Sequence, residues 1–163
     1  IPAARNRAEE ETDRQIITAR WRLTLPCFPC GAILLPKGRV QSVESVTYAD
    51  VAGDDQPLVA TVDWRLLADR EPAELEPIAG YWPSVESGRR DAVRVEYTAG
   101  YGDEPGDVPA LLRAGILFAL GHLYENRQDV ITGTISTELP QSAASIFEKF
   151  RVGDEFVNYE VGL

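Results

Sequence analysis

Methionine is absent from this 163-residue chain, histidine occurs once, at position 122, and cysteine occurs only at 27 and 30. The missing methionine predicts that the chain as read is not a complete translated frame, with something N-terminal removed. The longest run without a charge in the apolar helix near residues 109–126 is far below the roughly 20 residues needed to span a bilayer, and no secretory signal is visible. Basic runs are missing too. With a net charge of −10, the composition argues against phosphate-backbone binding, which normally shows a lysine- or arginine-rich patch. Hydrophobic content of 44% and charged content of 26% are ordinary. The length suits one domain with a real core.

A phosphate cradle is the next absence. "YTAGYGDEPGDVP", residues 97–109, sits between an alternating run and an apolar run, the strand–loop–helix order of nucleotide-binding proteins. A dinucleotide fingerprint needs a third glycine, and a P-loop needs a Lys-Ser/Thr pair entering the helix. Pro105 stands where the third glycine would fall, no lysine is present, and Asp103, Glu104 and Asp107 add negative charge. The sequence predicts that Asp107 caps the following helix and that the loop is a connector.

The scarce soft ligands exclude more. Cys27 and Cys30 form a C-x-x-C in "PCFPC", followed by the strand-like "GAILLP". Redox pairs of this kind sit at a helix start, and a zinc site needs two further ligands. These are expected to be incidental thiols in a strand turn. A metal site at a subunit contact, or a small metal-binding or redox protein using Cys27, Cys30 and His122, is the alternative. His122 has no serine–histidine–acid partner pattern and reads as a core or interface histidine. No catalytic, cofactor-binding or metal residue is assigned, and the expectation is a non-enzyme.

What is present is a change of period. Residues 3–19 read as a helix with the solvent-facing pairs Arg5–Glu9, Arg7–Glu11 and Glu10–Arg14, and a narrow stripe of Ala4, Ala8, Thr12 and Ile16. From Trp21 to Thr98 the period is two, predicting five or six strands in a mainly antiparallel arrangement. Val40, Val43, Val46 and Tyr48 do not share parity, which predicts a bulge near Ser42–Ser45. The segment at 69–91, rich in proline, glycine and charge, reads as a long loop. Helices follow at 109–126 and 140–150, with Pro140 in the first turn of the latter. The fold class is α+β: a helical core with a β-rich insertion, as one domain over 1–153 and a tail over 154–163.

The helix at 109–126 is apolar around its whole circumference. Arg113 is its only charge between Val108 and Leu123. Such a helix must be covered on all sides. Either the sheet wraps it as a central core helix, or an open face docks on a partner or a second copy. The tail is too apolar for a solvated end, and is expected to dock on a neighbouring subunit or another protein rather than to add a last strand to the domain's own sheet. Arg113, Phe118, His122, Arg127, Phe156, Tyr159 and Val161 are the candidate interface residues.

"LPKGRVQSVESVTYADVAGDDQPL", "YWPS", "AVRVEYTAGYGDEPGDVPALLRAGILFALGHLYENRQDV" and "TELPQSAASIFEKFRV" follow one another in an order that resembles head–tail connector (adaptor) proteins of tailed phages and gene transfer agents, in the branch with a β-rich insertion between helices. The resemblance covers residues 5–152. Its most specific parts are "YTAGYG…VP", the apolar helix ending "YENR", and the "LP" before the last helix; "PCFPC" falls outside the pattern. Such proteins usually carry a further short helix before residue 3. The resemblance implies a structural protein of a virion or phage-like particle, assembled in the bacterial cytoplasm, with no cofactor. It further implies a ring of about a dozen copies under the portal protein, contact with a neck or tail completion protein, and passage of DNA without specific binding. A net negative charge suits a channel through which DNA slides.

Overall fold

The computed structural model describes residues 2–125, 140–152 and 161–162. In chain order the elements are α1 (Pro2–Thr12), β1 (Ala19–Leu25), β2 (Ile33–Leu35), β3 (Val40–Ala49), β4 (Asp55–Leu58), β5 (Trp64–Leu67), β6 (Ala73–Pro77), β7 (Val93–Ala99), α2 (Ala110–Glu125), α3 (Gln141–Phe150) and β8 (Val161–Gly162). The fold is α+β, and every ladder between named strands is antiparallel.

The strands form a five-stranded sheet, β4-β3-β7-β1-β8, and a three-stranded sheet, β2-β6-β5. Alternation decides their inner faces. Val93, Val95, Tyr97 and Ala99 of β7 are buried with half-buried residues between them. They join Leu23 and Leu25 of β1, Ile33 and Leu35 of β2, Trp64 of β5 and Leu75 of β6 in one core. Each fully buried valine, leucine or isoleucine among them contributes about 1.5–3 kcal/mol. Tyr97 also donates its hydroxyl to the Pro36 carbonyl at 3.1 Å, so its one polar atom is satisfied. The register of β3 against β7 shifts between Val40 and Ser42 and again between Val43 and Ser45, where the broken parity predicts a bulge.

Two expectations need correction. The first helix stops at Thr12, not residue 19. Thr12 Oγ1 bonds back to the Ala8 carbonyl at 2.6 Å, and Asp13 turns the chain with a φ of 50°. The β-branched Ile16, Ile17 and Thr18 that follow suit extended chain better than helix. The stripe Ala4, Ala8, Thr12 and Ile16 is nonetheless buried throughout. Of the expected ion pairs, Arg7–Glu11 forms at 2.7 Å. Glu9 instead accepts from the Ile16 backbone N–H at 2.9 Å and from Gln15 Nε2 at 3.0 Å.

The second correction is β6, which lies inside the expected loop at 69–91. Its "AELEP" alternates, with Ala73 and Leu75 buried. Glu74 and Glu76 face outward to Arg70 and Arg65, each at 2.6 Å. Flanking prolines and acids mask a strand too short to show its period. With it, seven strands rather than five or six lie between α1 and α2.

A separate apolar core joins the helices. Ala4 and Ala8 of α1, Leu112 and Ala119 of α2, Ala143, Ile146 and Phe147 of α3, and Ile16 and Val108 from the segments between elements are its buried members. Gly115 lets α2 and α3 approach closely: a Cβ there would lie 2.9 Å from both Ile146 Cγ2 and Phe147 Cε1. Helices and sheets therefore have a core each, and meet at a joint.

Candidate functional site

The glycine-rich loop after β7 is that joint. Gly100 N–H donates to the Arg39 carbonyl at 2.9 Å, Tyr101 N–H to the Ile16 carbonyl at 3.0 Å, and Thr18 N–H to the Gly102 carbonyl at 3.2 Å. The backbones press together. Gly100 has a φ of 137°, and a Cβ there would meet the Thr18 backbone at 2.7 Å. At Gly102 a Cβ would fall 2.1 Å from Asp107 Oδ2. Asp107 does not reach forward to cap α2 as expected. It turns back, its Oδ2 accepting from the Glu104 N–H at 3.0 Å. The glycines make room for protein backbone and a carboxylate, so this is a connector.

Arg14 pins the joint from the side. It is almost fully buried, with Nη1 donating to Glu71 Oε1 at 2.8 Å, Nη2 to the other carboxylate oxygen, and Nε to the Phe150 carbonyl at the end of α3. One side chain thus ties the segment after α1 to the loop before β6 and to α3. Its guanidinium holds the Glu71 carboxyl below the usual carboxylate range, through hydrogen bonding first, against the opposing effect of burial. Sequence reasoning placed Arg14 in a local pair with Glu10. A partner 57 residues away leaves no local signal.

Above the joint, the described residues bury α2 on one side only. Leu112, Gly115 and Ala119 are buried against α1 and α3. Leu111, Leu117, Phe118, Leu123 and Tyr124 are exposed, Leu117 by 65%, Phe118 by 51% and Tyr124 by 70%. Of the two readings of an all-round apolar helix, the sheet-wrapped one does not hold, because the sheets enclose their own core. Among the expected interface residues, Arg113 and Phe118 lie exposed on α2 and His122 is half-buried. Leu117 and Tyr124 belong to the same open surface. The all-round apolar pattern says that some face is open without saying which.

Arg127, Phe156 and Tyr159 lie outside the described residues. Val161 is in β8, its backbone opposite Leu23 of β1, with Gly162 opposite Arg22. The end of the tail thus occupies an edge of the domain's own five-stranded sheet.

The thiols sit elsewhere. Cys27 and Cys30 are both free and exposed in the β1–β2 loop. Between them Phe28 stacks on Trp82, with ring centroids 4.8 Å apart and planes 5° from parallel, and Trp82 Nε1 donates to the Gly31 carbonyl at 2.7 Å. Among the described residues, no three His, Cys, Asp or Glu side chains gather as a metal group. No helix among them is long and apolar enough to cross a membrane.

No protein-family model and no curated protein matches the sequence. Solved structures do. A chain in the virion of a native gene transfer agent particle is 26% identical, with a TM-score of 0.75 over 93% of this chain and 74% of that one. A chain in the neck of an empty gene transfer agent particle, with C6 symmetry, agrees equally well. A chain in the neck of the native particle, with C12 symmetry, is 24% identical with a TM-score of 0.76 over 93% of this chain and 79% of that one. This chain is similar to structural components of a phage-like particle's neck.

Proposed function

We propose that this protein is a structural head–tail adaptor. Copies assemble as a ring, on the order of a dozen by analogy with the C12 neck, beneath the portal protein of a phage-like particle. The ring extends the DNA channel and offers its far side to a neck or tail completion protein. DNA passes without specific binding, and a protein of net charge −10 repels it over distances of about a Debye length.

One observation carries the reading. The likeness to neck chains runs through 93% of this chain, helices and sheets together, and 74–79% of theirs, which is more than a common submotif. The close-packed joint and the two cores suit a part that holds its shape. The test is assembly: the chain is co-expressed with the portal of its own particle and examined by negative-stain microscopy. A collar of cyclic symmetry on the portal is expected. A chain that stays monomeric and unattached at micromolar concentration refutes the proposal.

A further inference from the structure

We infer that the outer face of α2 is the surface through which one copy grips the next, an assignment that rests on the ring reading above and names its contact. Three observations point to a second copy as the occupant.

The first is what the face is made of. Around the helix, Leu111 and Phe118 form one apolar ridge and Leu117 and Tyr124 another. Ala110, Ala114 and Gly121 lie between them. Gly121 is mid-helix and nothing lies within 4 Å of where its Cβ would be. A glycine there costs helix stability of roughly 1 kcal/mol against alanine, with no close packing by the described residues to account for it. Two apolar ridges with a floor of small residues form a groove into which another chain's backbone can come close.

The second is electrostatic. Two copies carrying −10 each repel one another wherever acidic surface meets acidic surface. The outer face of α2 is poor in charge, with Arg113 at its flank and Glu125 at its end. Like-charged copies can come together there at the least electrostatic cost, and Arg113 can meet a neighbour's carboxylate.

The third is size and symmetry. Leu111, Leu117, Phe118 and Tyr124 together expose an apolar area on the order of 400 Å², about half of the roughly 800 Å² that each partner gives to a stable interface. A cyclic ring presents every copy with a copy on either side, and its contacts are heterologous. The α2 groove therefore receives a different surface of the next copy, not its own α2.

The test uses the full chain co-expressed with its portal. Leu117→Asp should lower the fraction of chain in collars at least tenfold, while the isolated chain melts within about 2 °C of the parent, because the side chain is exposed. Photo-crosslinking is the second arm, with p-benzoylphenylalanine in place of Leu117. Irradiation of assembled collars should give a ladder of self-linked copies. Intact collars with Leu117→Asp, or crosslinks that run to the portal or another protein instead, overturn this inference and leave the ring reading standing. If the parent chain forms no collar, both fall.

Discussion

Replacing Arg14 by methionine tests the joint. The change keeps most of the volume and removes the charge and three hydrogen bonds. Two of these go to Glu71, whose side chain is 45% exposed, so solvent screens them and the pair is worth about 1 kcal/mol. The third ends at the Phe150 carbonyl. A bond from a charged donor contributes about 1.5–3 kcal/mol, and its loss leaves an acceptor unpaired. Against this, methionine incurs none of the desolvation cost of a buried guanidinium. The net expectation is a destabilisation of about 2 kcal/mol. For a domain of this size that is a fall in Tm of roughly 4–8 °C, read by calorimetry at pH 7. Glu71→Gln isolates the ionic part. Glu71 is held below its ordinary value in the fold, so its contribution is complete above the unfolded value of about 4.3. It is lost as pH falls through the lower folded value. The parent and Glu71→Gln should therefore differ by about 1 kcal/mol at pH 7 and converge on acidification. An Arg14→Met protein that melts within 1 °C of the parent, or a Glu71→Gln difference that persists unchanged in acid, would refute the assignment of Arg14 as the pin.

Gly115→Ala gains up to about 1 kcal/mol of helix propensity. It also forces a methyl against Ile146 and Phe147, which should cost 1–3 kcal/mol, so a net loss in urea denaturation is expected. Tyr97→Phe should cost about 1 kcal/mol by leaving the buried Pro36 carbonyl without its donor, visible as a lower urea midpoint with an unchanged slope. Cys27 and Cys30 are exposed, and their joint replacement by serine should shift stability by no more than about 0.5 kcal/mol. Elemental analysis showing stoichiometric zinc that disappears with the double variant would contradict this. Deleting residues 154–163 removes the two-residue pairing of β8 with β1, and a modest Tm change of under about 3 °C is expected. A collapse of the melt would make the tail part of the core.

The α+β class, the antiparallel pairing and the bulges in β3 were legible because each leaves a local mark: a change of period, or a break in parity. The stripe Ala4–Ala8–Thr12–Ile16 was legible as a buried face even though the helix carrying it ends early. Spacing survived there because Ile16, after the turn at Asp13, still points into the helical core. β6 was hidden because five residues give barely two alternations, and its outward positions are both glutamate. Asp107 shows a different limit. A capping residue and a loop-closing residue have the same side chain in nearly the same place, and what decides between them is the empty space left at Gly102. For the candidate surface, Arg113, Phe118 and His122 were placed on the right helix, yet its orientation follows from Gly115, whose missing side chain draws α3 to that side. The Arg14–Glu71 pair spans two layers and is visible only in three dimensions.

The bridge between Ile17 and Gly102 bears on how such a protein can change. The chain leaves the helices and returns to them at almost one point, so everything from β1 to β7 is an excursion with its two ends side by side. The entropy of closing such an excursion grows only slowly with its length. Its seven strands share one core, separate from that of the helices. The excursion can then be lengthened, trimmed or exchanged for another module while Gly100 and Gly102 keep their place against Thr18. The helical part becomes a reusable chassis, and the β part an interchangeable attachment.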